Sequence, residues 1–219
     1  MNGQRYKAIL FDLDGTLTDP QIGITRSVAY ALKRFGILVD DLETLIPFIG
    51  PPLPNSFKKY YQFDDKKAKQ AVVHFRERFA EKGLFENRMY SRVPELLDSL
   101  HSVGKKLVLA TSKATVFAQR ILDHFDIGKY FHFVAGSNYD LTRIEKSEII
   151  EYAMSHLQGY LPEEIVMVGD HADDILGAYK NRIDSIAVFY GYGKRLDLER
   201  ARPTHFVCSV EELKMFLAT

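Results

Sequence analysis

Asp12 and Asp14 stand two residues apart in Asp12-Leu13-Asp14-Gly15-Thr16-Leu17, directly after the apolar run Ala8-Ile9-Leu10-Phe11. Side chains alternate faces along a strand, so the two carboxylates would share one face and Leu13 would take the other. Neighbouring carboxylates repel and resist joint ionisation. A fold that keeps such a pair uses it with a cation or for proton transfer. Gly15 allows a sharp backbone exit, and Thr16 offers a hydroxyl to hold a neighbouring carboxylate. A second acidic stretch, Gly169-Asp170-His171-Ala172-Asp173-Asp174, follows the apolar run Ile165–Val168. Asp174 lies four residues after Asp170, at helical spacing.

The elements that must position these groups can be read from the apolar pattern. Ala8–Phe11, Leu107–Ala110, Phe131–Ala135, Ile165–Val168 and Ile186–Phe189 are short, β-rich and end in small or polar residues, and His205–Cys208 is a weaker sixth. Continuous runs of this kind read as buried parallel strands. Apolar stripes at helical spacing lie between most of them. They are Val93, Leu96, Leu97, Leu100 and Val103; Val116, Phe117, Ile121, Leu122 and Phe125; and Ile149, Ile150, Ala153 and Leu157. Strand alternating with helix predicts an α/β fold with a doubly wound parallel sheet, and ligands of such sheets bind beyond the carboxyl ends of the strands. One gap breaks the rhythm: about ninety residues separate the first two strands, too many for one crossover helix. Within it run the stripes Ile24, Val28, Ala31, Phe35 and Ala68, Ala71, Val72, Phe75, Phe79, divided by Phe48-Ile49-Gly50-Pro51-Pro52-Leu53, a segment incompatible with helix. The expected organisation is a core of residues 1–19 and 88–219 with a helical domain of residues 20–87 inserted beside Asp14.

Composition excludes several classes. Lys plus Arg equals Asp plus Glu, at 29 each, so no global charge attracts nucleic acid or an anionic membrane. No apolar run approaches the length of a membrane span, and the first residues carry no signal-peptide stretch. A single cysteine, Cys208, permits no internal disulfide and suits a reducing cytoplasm. We expect Cys208 as buried packing in a strand, His171 at the surface or behind the acidic residues, and Gly191-Tyr192-Gly193-Lys194 as a flexible turn, because no Walker spacing surrounds it. Taken alone, Thr111 could be a helix cap, Lys146 part of a solvated cluster with Arg143, Glu145 and Glu148, and Gly50 an inter-helix turn.

Four separated motifs together resemble the haloacid-dehalogenase superfamily: Asp12-x-Asp14-Gly15-Thr16-Leu17; the hydroxyl of Thr111 in Leu-Val-Leu-Ala-Thr-Ser-Lys; Lys146 in Thr-Arg-Ile-Glu-Lys-Ser-Glu; and Gly169-Asp170-His171-Ala172-Asp173-Asp174. Within it the chain looks most like the phosphoglycolate-phosphatase and 5′-nucleotidase-like branch, on Phe48–Leu53 and on Gly136-Ser137-x-x-Asp140-x-Thr142-Arg143-x-x-Lys146. The resemblance implies a Rossmann-like core with an inserted helical cap, and a phosphatase acting on a small phosphorylated metabolite. It implies Asp12 as nucleophile, forming an aspartyl-phosphate, and Asp14 as general acid and then base. Asp12, Asp170 and Asp174 are hard oxygen donors of the kind that suits magnesium, and the Asp14 backbone carbonyl would complete the set as in the family. Thr111 and Lys146 would contact the phosphoryl group, with Ser112 sharing the role of Thr111 and the Gly50 loop facing the substrate. Lys146 would also offset charge on Asp12.

Other activities on this fold are weighed by the same residues. A dehalogenase needs neither Asp14 nor a metal, because halide leaves unprotonated, so Asp14 and the fourth motif count against it. Intact carboxylates at every motif position count against a non-catalytic protein. Phosphomutase and pyrophosphatase remain alternatives, and a monomer or a homodimer is expected.

Overall fold

The computed structural model describes residues 3–218. The chain runs β1 (Ala8–Phe11), β2 (Thr18–Asp19), α1 (Gln21–Lys33), α2 (Leu53–Tyr61), α3 (Asp65–Arg78), β3 (Arg88–Met89), α4 (Val93–Ser102), β4 (Lys106–Ala114), α5 (Thr115–His124), β5 (Phe131–Ser137), α6 (Lys146–Met154), β6 (Ile165–Gly169), α7 (Ala172–Lys180), β7 (Asp184–Val188), α8 (Arg195–Ala201), β8 (His205–Val207) and α9 (Val210–Ala218). By its internal contacts it divides into two compact units: Met1–Asp19 with Met89–Thr219, and Pro20–Arg88.

The first unit is built on a six-stranded sheet ordered β5-β4-β1-β6-β7-β8. Every ladder given for it is parallel. All four residues of β1 are fully buried. That burial on both faces is why the strand reads as a continuous apolar run rather than an alternating one. Helices cover both sides of the sheet. Ala8 and Leu10 belong to an apolar cluster with Val108, Ala110 and Met167 of the neighbouring strands, Ile149, Ile150 and Ala153 of α6, and Ala178 of α7. Successive strands are laid down from β1 to β5 on one side, then from β6 to β8 on the other. The direction therefore switches between β1 and β6, where open α/β sheets form their binding crevice. Phe11 pairs with Leu109 and with Val168, so the residues after β1 leave the sheet level with the end of β6 and partway along β4.

The second unit is helical. Asp64 caps α3, its side chain accepting from the Lys67 amide at 2.7 Å, and α3 runs on into a π turn, Phe79–Gly83. Helix α1 packs on α3 and on the 3-10 segment Leu42–Phe48, and α2 packs on α3. Between them lies an aromatic core in which Phe57 stacks on Phe63, with ring centroids 5.9 Å apart, and meets Phe48 edge-on at 5.0 Å. Arg78 grips Glu86 with two bonds of 2.8 and 3.0 Å, and Arg26 adds a third of 2.7 Å. Among the described residues no helix is long and apolar enough to cross a membrane.

Several local expectations are corrected. Cys208 is exposed. Strand β8 is an edge strand that ends at Val207, and the Cys208 amide instead donates to Glu212 Oε2 at 2.7 Å, in the first turn of α9. Phe35 lies beyond the end of α1 and packs edge-on against Phe63 at 5.1 Å. Val103 and Val116, counted in apolar stripes, are half exposed. Strand β4 continues past Ala110 to Ala114 because β5 runs alongside it, pairing Thr111 with Gly136 and Ala114 with Ser137. Arg88 falls in the helical unit rather than the core.

Candidate active site

Asp12 has the parity of Ala8 and Leu10, so its carboxylate emerges on the side of the sheet that α6 covers. Helix α6 begins with Lys146, whose ammonium is almost wholly buried. Lys146 Nζ donates to Asp12 Oδ1 at 2.8 Å and to the Ala110 carbonyl at 3.2 Å. It also forms an ion pair with Asp174 Oδ1 at 2.7 Å. A cation in the first turn of a helix opposes the helix dipole. Here two carboxylates hold it in place.

Asp170 and Asp174 arrive from the end of β6 and the start of α7. Asp174 is fully buried, and its Oδ2 accepts from the His171 amide at 3.0 Å, closing the first turn of α7. Asp170 Oδ2 accepts from the Tyr192 amide at 2.7 Å, and Thr16 Oγ1 reaches Asp170 Oδ1 at 3.4 Å. Gly15 turns the chain with φ +86°, and a Cβ there would lie 2.1 Å from Asp170 Oδ2. The position thus needs glycine twice over, for backbone conformation and for room. One oxygen from each of Asp12, Asp170 and Asp174 falls within a sphere where all lie within 4.8 Å of one another.

These carboxylates outnumber the cations beside them. Burial, then Asp12 and Asp174, push the Asp170 carboxyl well above its usual range. Burial pushes Asp174 up to about 7, against the pull of Lys146. Burial disfavours the Lys146 charge, yet Asp12 and Asp174 outweigh it and hold the ammonium above the ordinary lysine range. Three converging hard oxygens from three buried carboxylates fit a hard divalent cation in chemistry and in charge.

Asp14 stands apart from this group of three. Its carboxylate pairs with Lys113, Nζ to Oδ2 at 2.7 Å, with both side chains under a tenth exposed. Burial pushes its carboxyl up and Lys113 pulls it down. Thr111 is buried in β4, its Oγ1 accepting from the Lys113 amide at 3.3 Å, and Ser112 is half-buried beside it. Gly50 lies in the helical unit, before α2, with φ +101°. His171 is part-exposed, its Nδ1 3.8 Å from Asp173 Oδ2; burial draws its imidazole down against the pull of Asp173.

Two features escaped the sequence. Lys113 shares the strand parity of Thr111, and that alternation could have marked it. The segment Gly191–Lys194, expected as a flexible turn, is fastened to the site, as is Tyr190 before it. Its Tyr192 amide holds Asp170, the Tyr190 hydroxyl donates to the Thr16 carbonyl at 3.0 Å, and the Tyr192 hydroxyl bonds Asp19. The available signal was its place after β7, the same strand-end position as the other motifs.

Residues 9–188 match the family model described as haloacid dehalogenase-like hydrolase. The chain is 46% identical to a 5′-nucleotidase of Pseudomonas aeruginosa, covering 97% of this chain and 96% of that protein. It is 33% identical to the tyrosine-protein kinase PtkA of Mycobacterium tuberculosis, over 97% of this chain and 72% of that one. Identity to a phosphoglycolate phosphatase of Colwellia psychrerythraea is 29%, over 99% of each. The crystal structure of a predicted phosphatase from Clostridium acetobutylicum superposes with a TM-score of 0.93 at 45% identity, covering 96% of this chain and 97% of that one. With its acidic cluster at the switch point of the sheet and a family match spanning most of its length, the chain belongs to the haloacid dehalogenase-like hydrolases.

Proposed function

We propose that the chain, a phosphatase of this family, hydrolyses small phosphate monoesters with magnesium through an aspartyl-phosphate on Asp12. The observation that carries the reading is the Asp12 carboxylate, held by Lys146 at 2.8 Å within the buried cluster it forms with Asp170 and Asp174. Asp12, Asp170, Asp174 and the Asp14 carbonyl would hold the metal. Magnesium bound there would neutralise negative charge on the phosphoryl oxygens.

An Asp12 oxygen attacks phosphorus as the bond to the ester oxygen breaks. Asp14 gives its proton to the departing alcohol. In the second half-reaction Asp14 takes a proton from water, whose oxygen bonds to phosphorus while the bond to Asp12 breaks. Thr111, with Ser112, donates hydrogen bonds to the phosphoryl oxygens. Lys146 keeps a fixed positive charge beside both Asp12 and the group in flight, placed before the reaction begins. Residues 20–87 act as the cap. They exclude bulk water and supply contacts beyond the phosphate, with the Gly50 loop facing the substrate.

The names of the relatives direct the substrate search. A panel of small phosphate monoesters including nucleoside 5′-monophosphates and phosphoglycolate, run with and without magnesium, tests the reading. Hydrolysis lost on exhaustive chelation, restored by magnesium and absent in Asp12→Asn is the expected result. Full activity of Asp12→Asn would sink the covalent route. The likeness to a protein named as a kinase favours a second reading, in which the Asp12 acyl phosphate passes its phosphoryl group to an acceptor other than water. Adding alcohol and phenol acceptors to the panel separates the two.

A further inference from the structure

We propose that Lys113 is a positioning residue for Asp14, fixing its Oδ2 so that Oδ1 is the oxygen that meets the leaving group. The inference rests on the reading of Asp14 as acid and base given above. A carboxyl group has two oxygens that a side-chain rotation exchanges, and an acid that rotates is aimed only part of the time. Here the two are not equivalent. Lys113 Nζ lies 2.7 Å from Oδ2. Oδ1 is buried and has no hydrogen-bond partner. A buried carboxylate oxygen left without a donor is costly, and a leaving-group oxygen is the partner that would satisfy it.

The backbone is shaped to bring the ammonium there. Between Thr111 and Ala114 the β4–β5 ladder shifts register, so β4 spends extra residues against one step of β5. Such a bulge re-aims the side chains it carries. It is seated on Gly136, where a Cβ would lie 2.5 Å from the Lys113 carbonyl oxygen and 2.8 Å from the Thr115 amide. The Lys113 amide also donates to Thr111 Oγ1 at 3.3 Å, so the phosphate-facing hydroxyl and the lysine are set by the same two residues of strand. In the first half-reaction the proton leaves Asp14 Oδ1 for the alcohol oxygen. In the second it returns to Oδ1 from water. The ammonium remains on Oδ2 throughout.

The test uses leaving groups of different need. A simple alkyl phosphate requires its departing oxygen to be protonated, whereas dinitrophenyl phosphate releases a stable phenolate without help. Comparing kcat/KM isolates the first half-reaction. Lys113→Met should lower kcat/KM on the alkyl ester by about 10-fold or more, within the ~10²–10⁴-fold that acid catalysis is worth, and by under ~3-fold on the dinitrophenyl ester. Lys113→Arg, which keeps a cation, should restore most of the difference. Equal losses on both esters, or none, would overturn the proposal. If Lys113→Met does not fold by circular dichroism, Lys113→Gln carries the same comparison. Asp14→Asn in the same assay keeps the two ideas apart. A variant of Asp14 that discriminates between the esters while the Lys113 variants do not removes the positioning role alone. An Asp14 variant that loses both esters equally removes the acid itself.

Discussion

Lys146→Met removes the cation that Asp12 and Asp174 share. Its Nζ lies 2.8 Å from one carboxylate and 2.7 Å from the other, and all three side chains are at most 5% exposed. Methionine fills nearly the same volume, so packing is conserved and the change is electrostatic. Breaking a buried ion pair on one side costs ~3–5 kcal/mol, because the partner is left charged and dry. With two partners abandoned, the upper part of that range is expected. For a chain of this size each kcal/mol moves the melting temperature by ~2–4 °C, so a fall of ~8–20 °C follows. The loss should depend on pH. Burial already pushes the Asp174 carboxyl up to about 7 from 3.8. A carboxyl that binds protons more readily folded than unfolded destabilises most at high pH, and that penalty fades as pH falls through the raised value. Removing Lys146 enlarges the penalty, so the variant should lose more at ~pH 8 than at ~pH 6. Urea denaturation in chelator at both values measures it. Adding Asp174→Asn to the variant should recover part of the loss, a coupling that a double-mutant cycle reads directly. Stability within ~1 kcal/mol of the parent at both pH values would refute the claim that the ammonium neutralises this cluster.

Magnesium at about 100 times its dissociation constant should raise unfolding stability by ~2.7 kcal/mol over chelator, and Asp170→Asn should erase the difference in a calorimetric melt. Asp12→Asn and Asp14→Asn should each lower turnover on an alkyl phosphate by several orders of magnitude, acid–base catalysis alone accounting for ~10²–10⁴-fold; steady-state kinetics check both. Glu86 is held below its usual range by Arg78, and further by Arg26, so it stabilises above ~pH 4.5 and ceases to as pH falls through the lowered value. Glu86→Gln should therefore be less stable than the parent by up to ~1 kcal/mol at neutral pH and equal to it in acid, and urea midpoints that differ equally at both would show that ionic pairing is not the cause.

The core sheet was legible because its strands are buried on both faces and so stand out as unbroken apolar runs. Ala8–Phe11 matches β1 residue for residue. The strand ends that carry polar residues were harder. Thr111 and Ser112 read as lying past their strand, yet β4 runs on through them, because pairing with β5 depends on Gly136 and Ser137, far off in sequence. For the same reason Asp12, Asp170 and Asp174 could be named, and expected as one ligand set, from type, spacing and resemblance, while the 4.8 Å geometry that joins them could not. Lys113 and Tyr192 escaped because each acts through a partner a long way along the chain, Asp14 and Asp170. Cys208 misled because a short apolar edge strand looks like a buried one until its outer neighbour is found missing.

The two-residue strands β2 and β3, Thr18–Asp19 and Arg88–Met89, form a small sheet of their own. The Tyr90 amide, just beyond, donates to the Leu17 carbonyl at 3.1 Å. This pairing ties the beginning of the inserted unit to its end. Pairing β1 with β4 across an unstructured insertion would carry the closure entropy of the whole interval. Once the insertion is folded and its ends are tied, the chain that β1 and β4 must close is the short link before β2 and the stretch after β3 that carries α4. Closure entropy grows slowly with length, by ~0.6 kcal/mol per doubling, so the core scarcely registers how much lies beyond the tie. Insertions of other sizes could be exchanged at this junction in evolution without shifting the register that sets Asp12 beside Lys146. The residues of the core and those of the inserted unit can then drift independently, joined by four residues of strand.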